Sequence, residues 1–161
     1  MKFFRRQPRA DQRHLASPEG PFWAAYSRLV DEGLIDDRAS RGLPESALEE
    51  IATDQGVRLD PEYADFLRCM GAGSGNTLAS QVVFYPAILG IRESAVSLCN
   101  EVGISCDLAG AIFVASHQGY IYFYVDTRQE GTVWCLTEDS PAPVRVADSF
   151  SDFFYDYVKS A

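Results

Sequence analysis

The sequence predicts an α+β fold: helices first, then a mainly antiparallel sheet of about 4–6 strands, then a C-terminal helix packed on that sheet. Three observations lead there. Apolar residues recur at helical spacing through the first half of the chain, period-two alternation replaces it between Ala111 and Leu136, and helical spacing returns at the end. The sheet is organised around Tyr120–Val125, which sends Tyr120, Tyr122 and Tyr124 to one face and Ile121, Phe123 and Val125 to the other. Aromatic and β-branched residues on both faces fit a central strand covered on each side.

Taken in order, Ser17 or Gly20 starts a first helix, with Pro18 or Pro21 in its first turn. Its apolar stripe is Phe22, Trp23, Tyr26, Leu29, Val30 and Leu34, and Arg28, Asp31 and Glu32 fall away from it. Asp36–Gly42 is a polar connection. Pro44 opens a second helix over Glu45–Asp54, closed by Gly56. Asp60 caps a third, with Pro61 in its first position and Tyr63, Phe66, Leu67 and Met70 inward. Gly71–Asn76 follows a helix and lacks the lysine of a phosphate cradle, so it is a sharp turn. Gln81–Tyr85 reads as a strand, and Arg92–Val102 as either a short helix or an irregular excursion. The meander then runs from Ile112–Val114 through a tight turn at His117-Gln118-Gly119, the tyrosine strand, and a polar loop into Thr132–Leu136. Val144-Arg145-Val146 is a last short strand. Asp148–Ser160 is the closing helix, with Phe150, Phe153, Phe154, Tyr157 and Val158 on one face and Asp148, Asp152 and Asp156 on the other.

Length and composition fit one globular domain, which we place at 17–161, behind a flexible basic arm at 1–16. Residues 1–14 carry Lys2, Arg5, Arg6, Arg9 and Arg13 against Asp11, a net of +4, so the total of −9 leaves −13 on the remainder. Such a body repels phosphate backbones and favours a basic protein partner, so no nucleic-acid partner is expected. No apolar run approaches the roughly 18–20 residues of a membrane span, and no membrane partner is expected. Met1–Arg6 resembles the charged start of a signal peptide, but Gln7-Pro8-Arg9-Ala10-Asp11 stands where its apolar segment belongs, which points to the cytoplasm. Cys69, Cys99, Cys106 and Cys135 form no C-x-x-C pair and read as reduced, mostly buried thiols. With two histidines in the chain, no metal site and no cofactor are expected. Neither His14 nor His117 is tied by sequence to a nucleophile such as Ser74 or Cys69, so the chain is not read as an enzyme.

Leu59-Asp60-Pro61-Glu62-Tyr63-Ala64-Asp65-Phe66-Leu67, followed by a glycine-rich turn, resembles the L-P-x-x-Y-x-x-F-L … G-G signature of the SUKH superfamily, the Smi/Knr-type domains. It departs by the inserted Asp60 and by Met70-Gly71-Ala72-Gly73 where many members have Asn-Gly-Gly. Ile112–Ser116, Gly119–Asp126 and Gly131–Trp134 are similar to that family's meander, and Ala147–Phe154 to its closing helix. The resemblance covers about Leu43 to Val158 and implies a structural role for Leu59, Pro61, Tyr63, Phe66, Leu67, Gly71, Gly119, Gly131, Trp134 and Phe150. It also implies an immunity protein that neutralises a polymorphic toxin, a basic nuclease-type one among the candidates, by direct binding, or alternatively an intracellular regulatory adaptor of the Smi/Knr type that binds a housekeeping protein. A small-ligand binder using the groove between the glycine turn and the sheet is a further alternative. Candidate contacts are Tyr122 and Tyr124, provided that neither the first nor the closing helix covers them, and Asp148, Asp152 and Asp156. The oligomeric state is open, with a monomer favoured.

Overall fold

The computed structural model describes residues 19–161. Glycine, proline and acid caps divide this span into five helices and six short strands: α1 (Pro21–Asp31), β1 (Ser40–Arg41), α2 (Glu45–Gln55), α3 (Pro61–Met70), β2 (Gly73–Ser74), α4 (Ile91–Val102), β3 (Ala111–His117), β4 (Ile121–Asp126), β5 (Thr132–Thr137), β6 (Val144–Ala147) and α5 (Phe150–Ser160). The basic arm expected at 1–16, and Ser17 and Pro18, lie outside the described residues. The α+β order is as the patterning predicts. The main sheet has four antiparallel strands in the order β3-β4-β5-β6, while β1 and β2 pair separately as a small ribbon.

α3 shows how local chemistry sets the elements. The Asp60 carboxylate accepts hydrogen bonds from Glu62 N–H at 3.0 Å and Tyr63 N–H at 3.1 Å, and Pro61 needs no such partner in the first turn. Tyr63, Phe66, Leu67 and Met70 are then wholly buried. Rings from three helices meet there: Phe22 of α1 lies 5.3 Å from Phe154 of α5, and Phe66 lies 5.6 Å from Phe150 and 5.4 Å from Phe154. Glu62 reaches across to α5, accepting from Ser151 N–H at 2.8 Å and from the Ser151 hydroxyl. It thereby satisfies an amide in the first turn of α5 with negative charge.

The sheet is covered on both faces. Phe123 packs on Phe153 and Tyr157 of α5, with ring centroids 5.0 and 5.2 Å apart. Strand alternation sends Tyr122 and Tyr124 the other way. There Tyr122 lies beside Ser94 and Glu101 of α4, and Tyr124 beside Cys99 and Cys106. Arg92–Val102, left open by the sequence pattern, is therefore a helix, and it supplies one of the sheet's two covers.

Gln81–Tyr85 is not a strand. Val82 and Ser116 exchange one pair of backbone hydrogen bonds, but Tyr85 N–H is already given to Gly71 C=O and Pro86 has no N–H to extend a ladder. The outer edge of β3 is closed by other means. At its bulge, Gln55 accepts from Phe113 N–H at 2.7 Å and donates to Phe113 C=O at 2.8 Å. The Arg92 guanidinium donates to Ala111 C=O next to it. Gly71 is required for space: its φ is −60°, but an added Cβ would lie 2.6 Å from Leu67 O. Gly131 combines φ +75° with an approach of 2.9 Å between such a Cβ and the Asp60 carboxylate.

Two outcomes follow. Gln55→Ala strands a buried N–H and C=O together and should cost about 2–4 kcal/mol, read as a lowered urea midpoint with unchanged m-value. An unchanged midpoint would show that the edge does not depend on this pair. Burial raises the Asp60 pKa above its ordinary 3.8 despite the two amide donors. With the folded pKa above the unfolded one, the stabilisation is complete below 3.8 and is lost as pH rises through the folded value. Asp60→Asn keeps the cap without the charge, so its stability relative to the parent should rise with pH across that window. A difference independent of pH would refute the assignment.

Candidate functional site

The helix–helix corner formed by α1 and α5 opens on the surface as a groove of about 630 Å³. Pro21, Ala24 and Ala25 of α1 supply a wall of small side chains, and Val146 and Ala147 of β6 close one side. Asp148, Asp152 and Asp156 all line it. Asp148 lies just before the helix rather than on it, because Ser149 is the cap and accepts from Asp152 N–H at 3.1 Å. Arg145 pairs with Asp148 at 2.7 Å, both side chains being exposed. Asp152 and Asp156, one turn apart and exposed, make no ion pair among the described residues. Val146 is 45% exposed and Val144 54%, so apolar area lies next to the carboxylates.

Tyr155 holds the two walls together. The Arg28 guanidinium lies 4.3 Å over its ring and donates to its hydroxyl at 3.0 Å. That hydroxyl donates to Glu32 at 2.6 Å, and Lys159 donates to it at 3.3 Å. These contacts consume Arg28, the one cation lining the groove among the described residues. What remains facing outward is negative charge over a small-residue floor, an arrangement that attracts cationic side chains.

The exposure that Tyr122 and Tyr124 would need as anchors is absent: they are 4% and 5% exposed. The cover is α4 and the segment after it, not the first or closing helix, and burial raises the pKa of both phenols. Tyr120 sits in the turn before β4. Leu59 packs on the core, Gly119 sits in the β3–β4 turn, and Trp134 donates from Nε1 to Thr132 Oγ1 at 3.0 Å.

Other surfaces are less suited to an external charge. A larger groove of about 830 Å³ beside α2 and α3 is lined by both Arg58 and Arg68 among its acids, and Arg68 is spent on Glu45 at 2.6 Å and Asp65 at 3.4 Å. Between the glycine turn and the sheet, considered above as a ligand groove, runs a segment bonded to both: Tyr85 N–H donates to Gly71 C=O and Val82 exchanges hydrogen bonds with Ser116, while Leu78 and Val83 are buried. Ser74 is buried with its Oγ 2.9 Å from that of Ser40, His117 Nδ1 lies 2.7 Å from Gln81 Oε1, and burial pushes the Cys69 thiol up to about 12. Among the described residues no helix is long and apolar enough to cross a membrane, and no cluster of side chains is suited to hold a metal ion.

Sequence reasoning missed Ala24, Ala25, Val146 and Arg28 as parts of one groove. Their signal was faint: small residues on the exposed side of α1, and valines on a strand too short to show alternation. No curated protein gives a significant match to the chain. A family model does match, over residues 42–156, and it spans α2, α3 and α4, the glycine turn, the four-stranded sheet and part of α5, while α1 lies before it. The chain belongs to the SMI1/KNR4 family (SUKH-1).

Proposed function

We propose that this chain is a non-enzymatic immunity protein that neutralises a basic toxin by direct binding, with the groove between α1 and α5 as the contact. The family is one of immunity proteins against polymorphic toxins, which supports the general role. The observation that carries the specific reading is the line of Asp148, Asp152 and Asp156 over the Ala24–Ala25 floor, two of the three carboxylates having no ion-pair partner among the described residues. Lysines and arginines of a toxin's active surface are the complementary chemistry, and covering them removes the toxin's hold on its own substrate. The surplus of −13 outside the first residues steers the encounter from beyond contact distance.

The test is capture from the native lysate at low and moderate salt, followed by association kinetics with the captured protein. One basic toxin in near-stoichiometric amount is the expected result; a set of ordinary cellular proteins would support an adaptor instead. The variant D148N/D152N/D156N also gives up the exposed Arg145–Asp148 pair and the Asp152 charge in the first turn of α5, so each change should cost no more than about 1 kcal/mol of stability. Its on-rate at low salt should fall on the order of tenfold, and the salt dependence should flatten. An on-rate equal to the parent's would remove the groove from the interface.

A further inference from the structure

Two of the cysteines are neighbours. Cys99 is buried in the last turn of α4, Cys106 is half-buried in the segment after it, and their Sγ atoms are 4.0 Å apart. The turn between them is itself held: Gly103 is left-handed at φ 74°, and Ile104 N–H donates to Cys99 C=O at 2.9 Å. A disulfide places its sulfurs about 2.05 Å apart, so the pair has about 2 Å to close. That is within reach of a side-chain rotation and a small shift of the exposed residues around Cys106. Cys69 and Cys135 have no such sulfur partner.

We propose that Cys99 and Cys106 are an oxidative modification site, joined into an intramolecular disulfide by a hydroperoxide. Cys106 is the more exposed of the two and reacts first. Its thiolate Sγ attacks a peroxide oxygen, the O–O bond breaks, and for hydrogen peroxide hydroxide leaves, giving the sulfenic acid of Cys106. Cys99 Sγ then attacks that sulfur. The S–S bond forms, the S–O bond breaks, and water departs with the Cys99 proton. Overall two thiols lose two electrons and two protons, and one hydrogen peroxide becomes two waters.

The surroundings make this a slow site. Burial, then the adjacent Cys99, then Asp107 push the Cys106 thiol up to about 11, and the Tyr124 hydroxyl of β4 faces the same sulfurs. Arg128 does not offset this, being spent on Asp107 at 2.8 Å. Thiolate is therefore scarce near neutrality, and the rate should rise about tenfold per unit between pH 7 and 9. The resulting staple would pin the chain after α4 over Tyr124, on the sheet face away from α5.

The experiment is treatment of the reduced full chain with hydrogen peroxide, alkylation under denaturing conditions, and non-reducing peptide mapping. The expected product lacks two hydrogen masses, carries a peptide joining Cys99 to Cys106, keeps Cys69 and Cys135 alkylatable, and reverts with dithiothreitol. Cys99→Ser should stop at a sulfenic acid on Cys106 that dimedone traps. Oxidation of Cys69 or Cys135 at the same rate would overturn the proposal. So would conversion of Cys106 in the parent chain to sulfinic acid with no cross-linked peptide, a result that does not depend on how the variant folds.

Discussion

The rest of the structure depends on the burial of α3 between α1 and α5. Its first turn and its buried face act together. Asp60 ends the preceding loop by taking two amides, Glu62 takes an amide and a hydroxyl from α5, and Tyr63 and Phe66 pack against Phe150. Each fully buried ring of this kind contributes on the order of 2–3 kcal/mol by leaving water. The polar contacts add less energy but fix direction, because a carboxylate aimed at a helix start tolerates little rotation. Since α5 is positioned by α3, so is the groove that α5 forms with α1. The Tyr63 hydroxyl is buried with no hydrogen-bond partner among the described residues, and nothing in the structure explains why tyrosine stands there rather than phenylalanine.

Charge is sorted by depth. Buried carboxylates are occupied locally: Asp126, 4% exposed, accepts from Arg128 N–H and from Gln129 Nε2, and Asp60 caps α3. Such groups are tolerable inside because backbone and side-chain donors replace the water they lost. The carboxylates without such partners sit outside, where water solvates them, and Asp152 and Asp156 are among these. An acidic composition therefore does not by itself mark a site. Its meaning comes from which acids the fold leaves uncommitted and what lies beside them.

Much of the fold was legible because its signals are local. Asp60-Pro61 and Gly56 mark helix ends whatever else happens, and Tyr122–Val125 shows its two buried faces through period-two patterning. The pattern stayed ambiguous at Arg92–Val102, where an amphipathic helix begins at a left-handed glycine with no side-chain cap. It misled at Gln81–Tyr85, where the apolar run from Val82 reflects packing of Val83 into the core rather than pairing along a strand. The site was half legible. Asp152 and Asp156 share a face by helical spacing alone, whereas the floor opposite them comes from α1, more than a hundred residues away in sequence. No periodicity reports a contact of that range. Gln55 is the plainest case: a lone polar residue at a helix end becomes the closure of a sheet edge only through the path of the intervening chain.

The two borders of the sheet are treated unequally. Along β3 the outward backbone groups are occupied by Arg92, Gln55 and Val82 in turn, while β6 has β5 on one side and no strand on the other among the described residues. Strand pairing between molecules grows only if each newcomer offers a fresh border to the next. A sheet with one sealed border cannot do that. Edge-to-edge association through this sheet therefore ends at two, and its exposed Val144 and Val146 cannot extend a ladder beyond a pair.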